Sequence, residues 1–284
     1  MRKTSEKNRL ATRPRLTAPA HGDNMDLGIR GRRAVVCGGS KGLGLAAARS
    51  LAREGVDLTL VARSQETLDT AAGELVAETG VKVATVSADL GTSEGRAAVL
   101  AQAGIVDILV ANPGIRQVPD DFRKITREGW EGWMEAHFYS SLELIRAVVP
   151  GMSERGFGRI VNMSVSFIKF PQVGFGPSHA ARLALAGAIA AMSRELIPHN
   201  VVINSVCPGL FETDALTTNL HGHAARGNTT YEAIVADRLK HCPAGRFADP
   251  SECGDLIAFL CSAQNGFMTA QNIVNDGGVY QGLF

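Results

Sequence analysis

Two groups of residues have types and spacings that suit chemistry. The first is the run Gly38-Gly39-Ser40-Lys41-Gly42-Leu43-Gly44, followed directly by the amphipathic stretch Leu45 to Glu54. Glycines permit a tight turn and let the backbone approach a pyrophosphate. A helix starting near Gly42 turns its free amides and the positive end of its dipole toward that anion. The same letters satisfy a nucleophile elbow, G-x-S-x-G, through Gly38, Ser40 and Gly42. Such an elbow follows a later strand and calls for a downstream acid and histidine, whereas this run closes the chain's first apolar strand. The context therefore points to a dinucleotide. Twenty residues on, Leu60-Val61-Ala62 ends in Arg63, where an NAD site would present a carboxylate to the ribose hydroxyls. Arg63 with Lys41 instead suits the 2′-phosphate of NADP(H).

The second group is Ser178, His179 and Arg182. A spacing of four sets Ser178 and Arg182 on one helix face, while Ser178 and His179, one apart, diverge. Ser164 and Ser166 flank Val165 at a strand end, and His137 lies on a long fourth helix within Glu128 to Arg155; imidazole titrates near neutrality and can supply a proton.

These groups need a scaffold. Apolar runs of strand length recur at Ala34 to Cys37, Leu58 to Ala62, Val83 to Val86, Ile108 to Ala111, Ile160 to Met163, Val201 to Val206 and Ile273 to Val274. They are continuous rather than alternating, as in strands buried on both faces. Between them lie helical stretches at Gly42 to Glu54, Gln65 to Thr79, Ser93 to Ala103, Glu128 to Arg155, His179 to Ile197 and Pro250 to Ser262. Alternation of this kind predicts a single α/β domain over 25–284, a Rossmann-type, doubly wound, seven-stranded parallel sheet. Residues 1–24 hold six Lys/Arg against Glu6 and Asp23, with Pro14 and Pro19 and no apolar periodicity. They read as a loose basic tail, with a targeting leader as the alternative.

Bulk composition removes several classes of function. A net charge of +1 supplies no surplus of cations to face nucleic acid or an anionic membrane. The most apolar helical stretch, Leu183 to Met192, lies between Arg182 and Arg194, too short to span a bilayer. Cys37, Cys207, Cys242, Cys253 and Cys261 show neither metal-ligand spacing nor an even disulfide framework, so the expectation is no metal and a reducing, cytoplasmic setting.

The motifs together resemble the short-chain dehydrogenase/reductase family, in particular its 3-oxoacyl-acyl-carrier-protein reductases, over nearly all of residues 30–284. Gly38, Gly42 and Gly44 match its TGxxxGxG turn with Cys37 for Thr, and Asp89-Leu90 match its adenine-contacting segment. Ala111-Asn112-Pro113-Gly114 is similar to NNAG, Pro208-Gly209 with Thr213 to the PG-to-Thr segment at the nicotinamide end, and Asn275-Asp276-Gly277-Gly278 to the C-terminal DGG element. The resemblance implies NADP(H) held by Gly38, Ser40, Lys41, Gly42, Leu43, Gly44, Arg63, Asp89, Leu90, Asn112, Gly114, Arg182, Pro208, Gly209 and Thr213. It also implies a small carbonyl or alcohol substrate and a homotetramer or homodimer, with Val279 to Phe284 buried at a subunit contact.

The catalytic pattern departs from the family's Asn, Ser, Tyr and Lys. Alignment on Gly158 to Asn162 and Leu183 to Gly187 sets His137, Val165, Ser178 and Arg182 at those four positions. A serine hydroxyl titrates far above a phenol, and a guanidinium stays protonated, so proton exchange is impaired while ribose binding survives. Three activities follow as expectations: an NADP(H)-dependent reductase or dehydrogenase with a substituted tetrad, a nucleotide-binding regulatory subunit, or lyase or dehydratase chemistry using His137 or a serine. The segment Phe211 to Lys240 reads as a mobile cover with Leu216, Leu220, His221, His223 and Tyr231 toward the substrate.

Overall fold

The computed structural model describes residues 25–114 and 121–283. The basic segment 1–24 and the terminal Phe284 lie outside the described residues. Seven strands form one sheet: β1 (Arg33–Cys37), β2 (Asp57–Ala62), β3 (Val83–Ser87), β4 (Ile108–Ala111), β5 (Gly158–Met163), β6 (Val201–Pro208) and β7 (Asn272–Asn275). Their order is β3-β2-β1-β4-β5-β6-β7, with every neighbouring pair parallel. The helices are α1 (Gly42–Arg53), α2 (Gln65–Thr79), α3 (Ser93–Ala103), α4 (Arg127–Met134), α5 (Ser140–Glu154), α6 (Gly176–Leu196), α7 (Asp214–Arg226), α8 (Tyr231–Lys240) and α9 (Pro250–Leu260). The expected doubly wound sheet is the observed one.

Successive residues of a strand point to opposite faces. In β1, Ala34 and Val36 join a core with Leu51, Leu60, Leu68 and Ile257, under α1, α2 and α9. Val35 and Cys37 join the opposite core with Leu109, Ile145, Ile160, Leu185 and Ile203, under α5 and α6. Both faces need apolar residues, which is why the runs are unbroken. Strand order reverses between β1 and β4, so the loops leaving their C-terminal ends part and open a crevice there, the place where doubly wound folds bind ligands.

The long fourth helix is a composite. A π-helical turn, Glu135–Tyr139, joins α4 to α5 and carries His137. Wider π turns inside α-helices are rare and need bracing from outside. Arg96 of α3, almost wholly buried, supplies it: Nη1 meets Glu135 at 2.7 Å and Nε meets Glu143 at 2.6 Å, while Nη1 also donates to the Leu90 carbonyl at 2.9 Å. The segment 211–240, expected as a mobile cover, is largely the helical pair α7 and α8. Each starts at a threonine whose hydroxyl accepts the amide three residues on, Thr213 from Leu216 and Thr230 from Ala233. Among its proposed pocket residues Leu220 is buried at 1% exposure, and His221 stacks on Tyr231 at 4.3 Å between centroids, so these hold the two helices together.

The brace gives a direct expectation. Arg96→Met removes hydrogen bonds to two half-exposed carboxylates and one carbonyl, and should lower the unfolding free energy by about 1–2 kcal/mol in urea titration.

Candidate active site

The glycine turn is shaped by the absence of side chains. Gly38 and Gly42 sit at φ +64° and +55°, the left-handed region that favours glycine. A Cβ on Gly38 would fall 2.5 Å from Asn112 Nδ2, and one on Gly44 would collide with the Gly38 carbonyl oxygen. The turn after β1 thus closes against Asn112 after β4, and α1 starts directly at the crevice. Leu43 packs on the core at the base of this turn, and Ser40 is half-buried within it.

The start of α1 differs from those of α2, α3, α4, α7, α8 and α9. Each of those has a side-chain oxygen accepting an early amide and an acidic residue in its first turn. Helix α1 has neither: its N-cap is Lys41, without a side-chain cap, and no acid follows. Its first amides and dipole are therefore left for an anion from outside the chain. Lys41 and Arg63 are exposed near this end of the sheet, and neither side chain forms an ion pair among the described residues.

Other predicted cofactor residues line the same C-terminal strand ends. Asp89, exposed after β3, accepts the Gly91 amide at 2.9 Å, and Leu90 follows it. Gly114, also exposed, follows Asn112 on the loop from β4. After β6, the Gly209 amide donates to the Asn275 carbonyl at 2.9 Å, and a Cβ on Gly209 would lie 2.6 Å from that of Asp276. The Asp276 carboxylate accepts amides of Gly278, Val279 and Tyr280 at 3.0, 3.2 and 2.9 Å. Pro208-Gly209 and Asn275 to Gly278, distant in sequence, are thus one interlocked corner. Thr213 spends its hydroxyl capping α7 at 3.2 Å.

Ser178 and Arg182 lie where α6 meets the ends of β5 and β6. Arg182 Nε donates to Ser178 Oγ at 3.4 Å, and Nη1 donates to the Met163 carbonyl at 3.2 Å. Both acceptors are neutral. Burial pushes the guanidinium down to about 10, only partly offset by the Cys207 thiol. Ser178 and Ser164 are each 6% exposed. Cys207 completes the cluster: burial pushes its thiol up to about 11, while Lys169, Arg182 and the Ser164 hydroxyl pull the other way. His179 Nε2 is buried without a partner, and burial, then Arg182, lowers its pKa, so the ring is neutral. His137 is 1% exposed and stacks on Trp133 at 5.1 Å; its π turn packs against α6. Val165 is half-buried, and Ser166 is buried.

Two members of this cluster escaped sequence reasoning. The sequence singles out no role for Lys169, and Cys207 enters it only as a redox indicator. Its position immediately before Pro208-Gly209 was the available signal.

Residues 38–280 match the family model described as enoyl-(acyl carrier protein) reductase. The chain belongs to the short-chain dehydrogenase/reductase family. It is 31% identical to Rattus norvegicus dehydrogenase/reductase SDR family member 4 over 252 residues, 86% of either protein. It is likewise 31% identical to gluconate 5-dehydrogenase of Gluconobacter oxydans over 262 residues, 88% of this chain and 95% of the relative. The L-sorbose reductase of Gluconobacter frateurii, solved with NADPH and L-sorbose, superposes with a TM-score of 0.85 at 31% identity, covering 91% of this chain and all of the other.

A cation whose folded pKa lies below its unfolded one costs stability at every pH below the folded value, and the cost is relieved only as pH rises past it. For Arg182 the penalty is therefore in force at neutral pH. Arg182→Met should raise the unfolding free energy by about 1–2 kcal/mol at pH 7 by denaturant titration.

Proposed function

We propose that the chain is an NADP(H)-dependent oxidoreductase interconverting a carbonyl and an alcohol on a small molecule. The uncapped, acid-free start of α1 beside Lys41 and Arg63 carries this reading. It is the arrangement a dinucleotide diphosphate with an added 2′-phosphate requires. Gly38, Ser40, Gly42, Leu43, Gly44, Asp89, Leu90, Asn112 and Gly114 would form the cradle, and Pro208, Gly209 and Thr213 the nicotinamide end. Support comes from the L-sorbose reductase, crystallised with NADPH.

Reduced nucleotide bound there supplies a hydride to the carbonyl carbon, and the carbonyl oxygen must gain a proton. Ser178, whose Oγ accepts from Arg182 Nε, would donate a hydrogen bond to that oxygen. The proton itself comes from solvent, because a serine hydroxyl does not titrate in the working range. Ser164 and His137 are the further groups assigned to this pocket. Lacking a phenol, the site works more slowly than one with an acid tuned to neutrality.

Calorimetric titration with NADPH and NADH tests the nucleotide site. NADPH should bind more tightly, and Arg63→Ala should weaken NADPH about tenfold or more while leaving NADH nearly unchanged. Failure to take up either nucleotide at about 1 mM sinks the reading. The double substitution Ser178→Tyr with Arg182→Lys should raise ketone reduction above the parent's, followed by loss of reduced-nucleotide absorbance.

A further inference from the structure

One buried side chain bonds to both ends of the crevice. Asp89-Leu90, after β3, is part of the proposed nucleotide cradle, and α3 starts directly beyond it. The Asp89 carbonyl accepts the Thr92 amide at 3.1 Å and the Thr92 hydroxyl at 2.9 Å. A Cβ on Gly95 would collide with that same carbonyl oxygen. The Thr92 hydroxyl in turn caps the helix by accepting the Gly95 amide at 3.1 Å. Asp89-Leu90 and the first turn of α3 are therefore one unit, and neither shifts without the other.

Arg96 extends from that unit and is 4% exposed. Its Nη1 donates to the Leu90 carbonyl at 2.9 Å, which fixes the guanidinium to the cradle segment itself. The same guanidinium meets Glu135 at 2.7 Å and Glu143 at 2.6 Å. These two acids flank His137 in sequence, so the grip spans the whole π turn. That turn packs against α6, which bears Ser178 and Arg182. Trp133, itself 4% exposed, stacks on His137 with centroids 5.1 Å apart. A planar guanidinium held by three acceptors in a dry environment cannot follow one of them without straining its bonds to the others.

We propose that Arg96 is a positioning residue that links occupation of the adenine end of the nucleotide site to the placement of the π turn, and through it of α6 at the reacting end. The proposal rests on reading Asp89-Leu90 as part of the nucleotide cradle. A nucleotide settling against that segment shifts the first turn of α3, and Arg96 passes the shift to Glu135 and Glu143. Such a link is a free energy shared between two places, and it runs through contacts that a single substitution cuts. The adenine half of the cofactor, with no nicotinamide attached, is accordingly felt at Trp133.

The chain has two tryptophans, Trp130 and Trp133, so Trp130→Phe leaves Trp133 as the sole indole emitter. In that background adenosine 2′,5′-bisphosphate, which carries adenine and the 2′-phosphate alone, is titrated by calorimetry and by fluorescence. It should bind, and Trp133 emission should change by about a tenth or more with the same midpoint. Adding Arg96→Met should keep the fragment's affinity within about tenfold while removing about half or more of the emission change. Adding Arg127→Met instead, which deletes an exposed ion pair with Glu131 on α4, should leave that change intact and so controls for general loss of helix stability. Flat emission at saturation, a full change in Arg96→Met, or an equal loss in Arg127→Met overturns the proposal. A full change in Arg96→Met is also what direct quenching by adenine would give. Should Arg96→Met fail to show a cooperative melt, Glu135→Ala decides. An emission change cut by about half or more supports the link, and an unaltered one overturns it. Fragment uptake with a silent Trp133 removes only the link and leaves the nucleotide reading standing. NADPH uptake without fragment uptake overturns the link too, since the adenine end then binds nothing by itself. Uptake of neither removes the nucleotide reading and the link together.

Discussion

The whole site hangs on one steric requirement: α1 must begin within contact distance of the loop leaving β4. That approach is possible only because Gly38 and Gly44 carry no side chain where Asn112 and the Gly38 carbonyl already sit. Any Cβ there would push the helix start away from the crevice and turn its amides off the anion. The chain keeps this helix terminus clear of its own acids and caps, while six other helices use both. The same device that stabilises those helices internally is here reserved for a ligand.

Around the second half of the site the balance of forces is different. Ser178 and Arg182 set a short hydroxyl beside a permanent cation. The guanidinium is drawn in among neutral acceptors, and burial depresses its pKa. The His179 Nε2 is buried without a hydrogen-bond partner among the described residues.

Secondary supports keep these parts in register. The interlock of Gly209 with Asp276 ties the loop after β6 to the end of β7, so that loop is not an independent flap. Arg96 holds the π turn that carries His137, which packs against the helix bearing Ser178 and Arg182. Helices α7 and α8 continue from the same corner, pinned to each other by His221 and Tyr231.

Much of this was readable before any coordinates. Unbroken apolar runs such as Ile108 to Ala111 imply burial on both faces, and burial on both faces implies parallel strands under two helical layers. Glycines directly after the first of those runs imply a phosphate turn, because few other local needs call for so many. The spacing of four that sets Ser178 and Arg182 on one helix face was equally plain. The sequence read 211–240 as a mobile cover without its helices, and most of the segment is two threonine-capped helices. It showed no π turn, since the helical period is barely disturbed by one wide turn and the brace comes from a different helix. Nor could it bring Lys169, Arg182 and Cys207 together, because they belong to three segments that only the parallel pairing of β5 with β6 and the packing of α6 make neighbours. Residue types and local periods are properties of the chain; which charges lack partners is a property of packing, and the tertiary structure alone decides it.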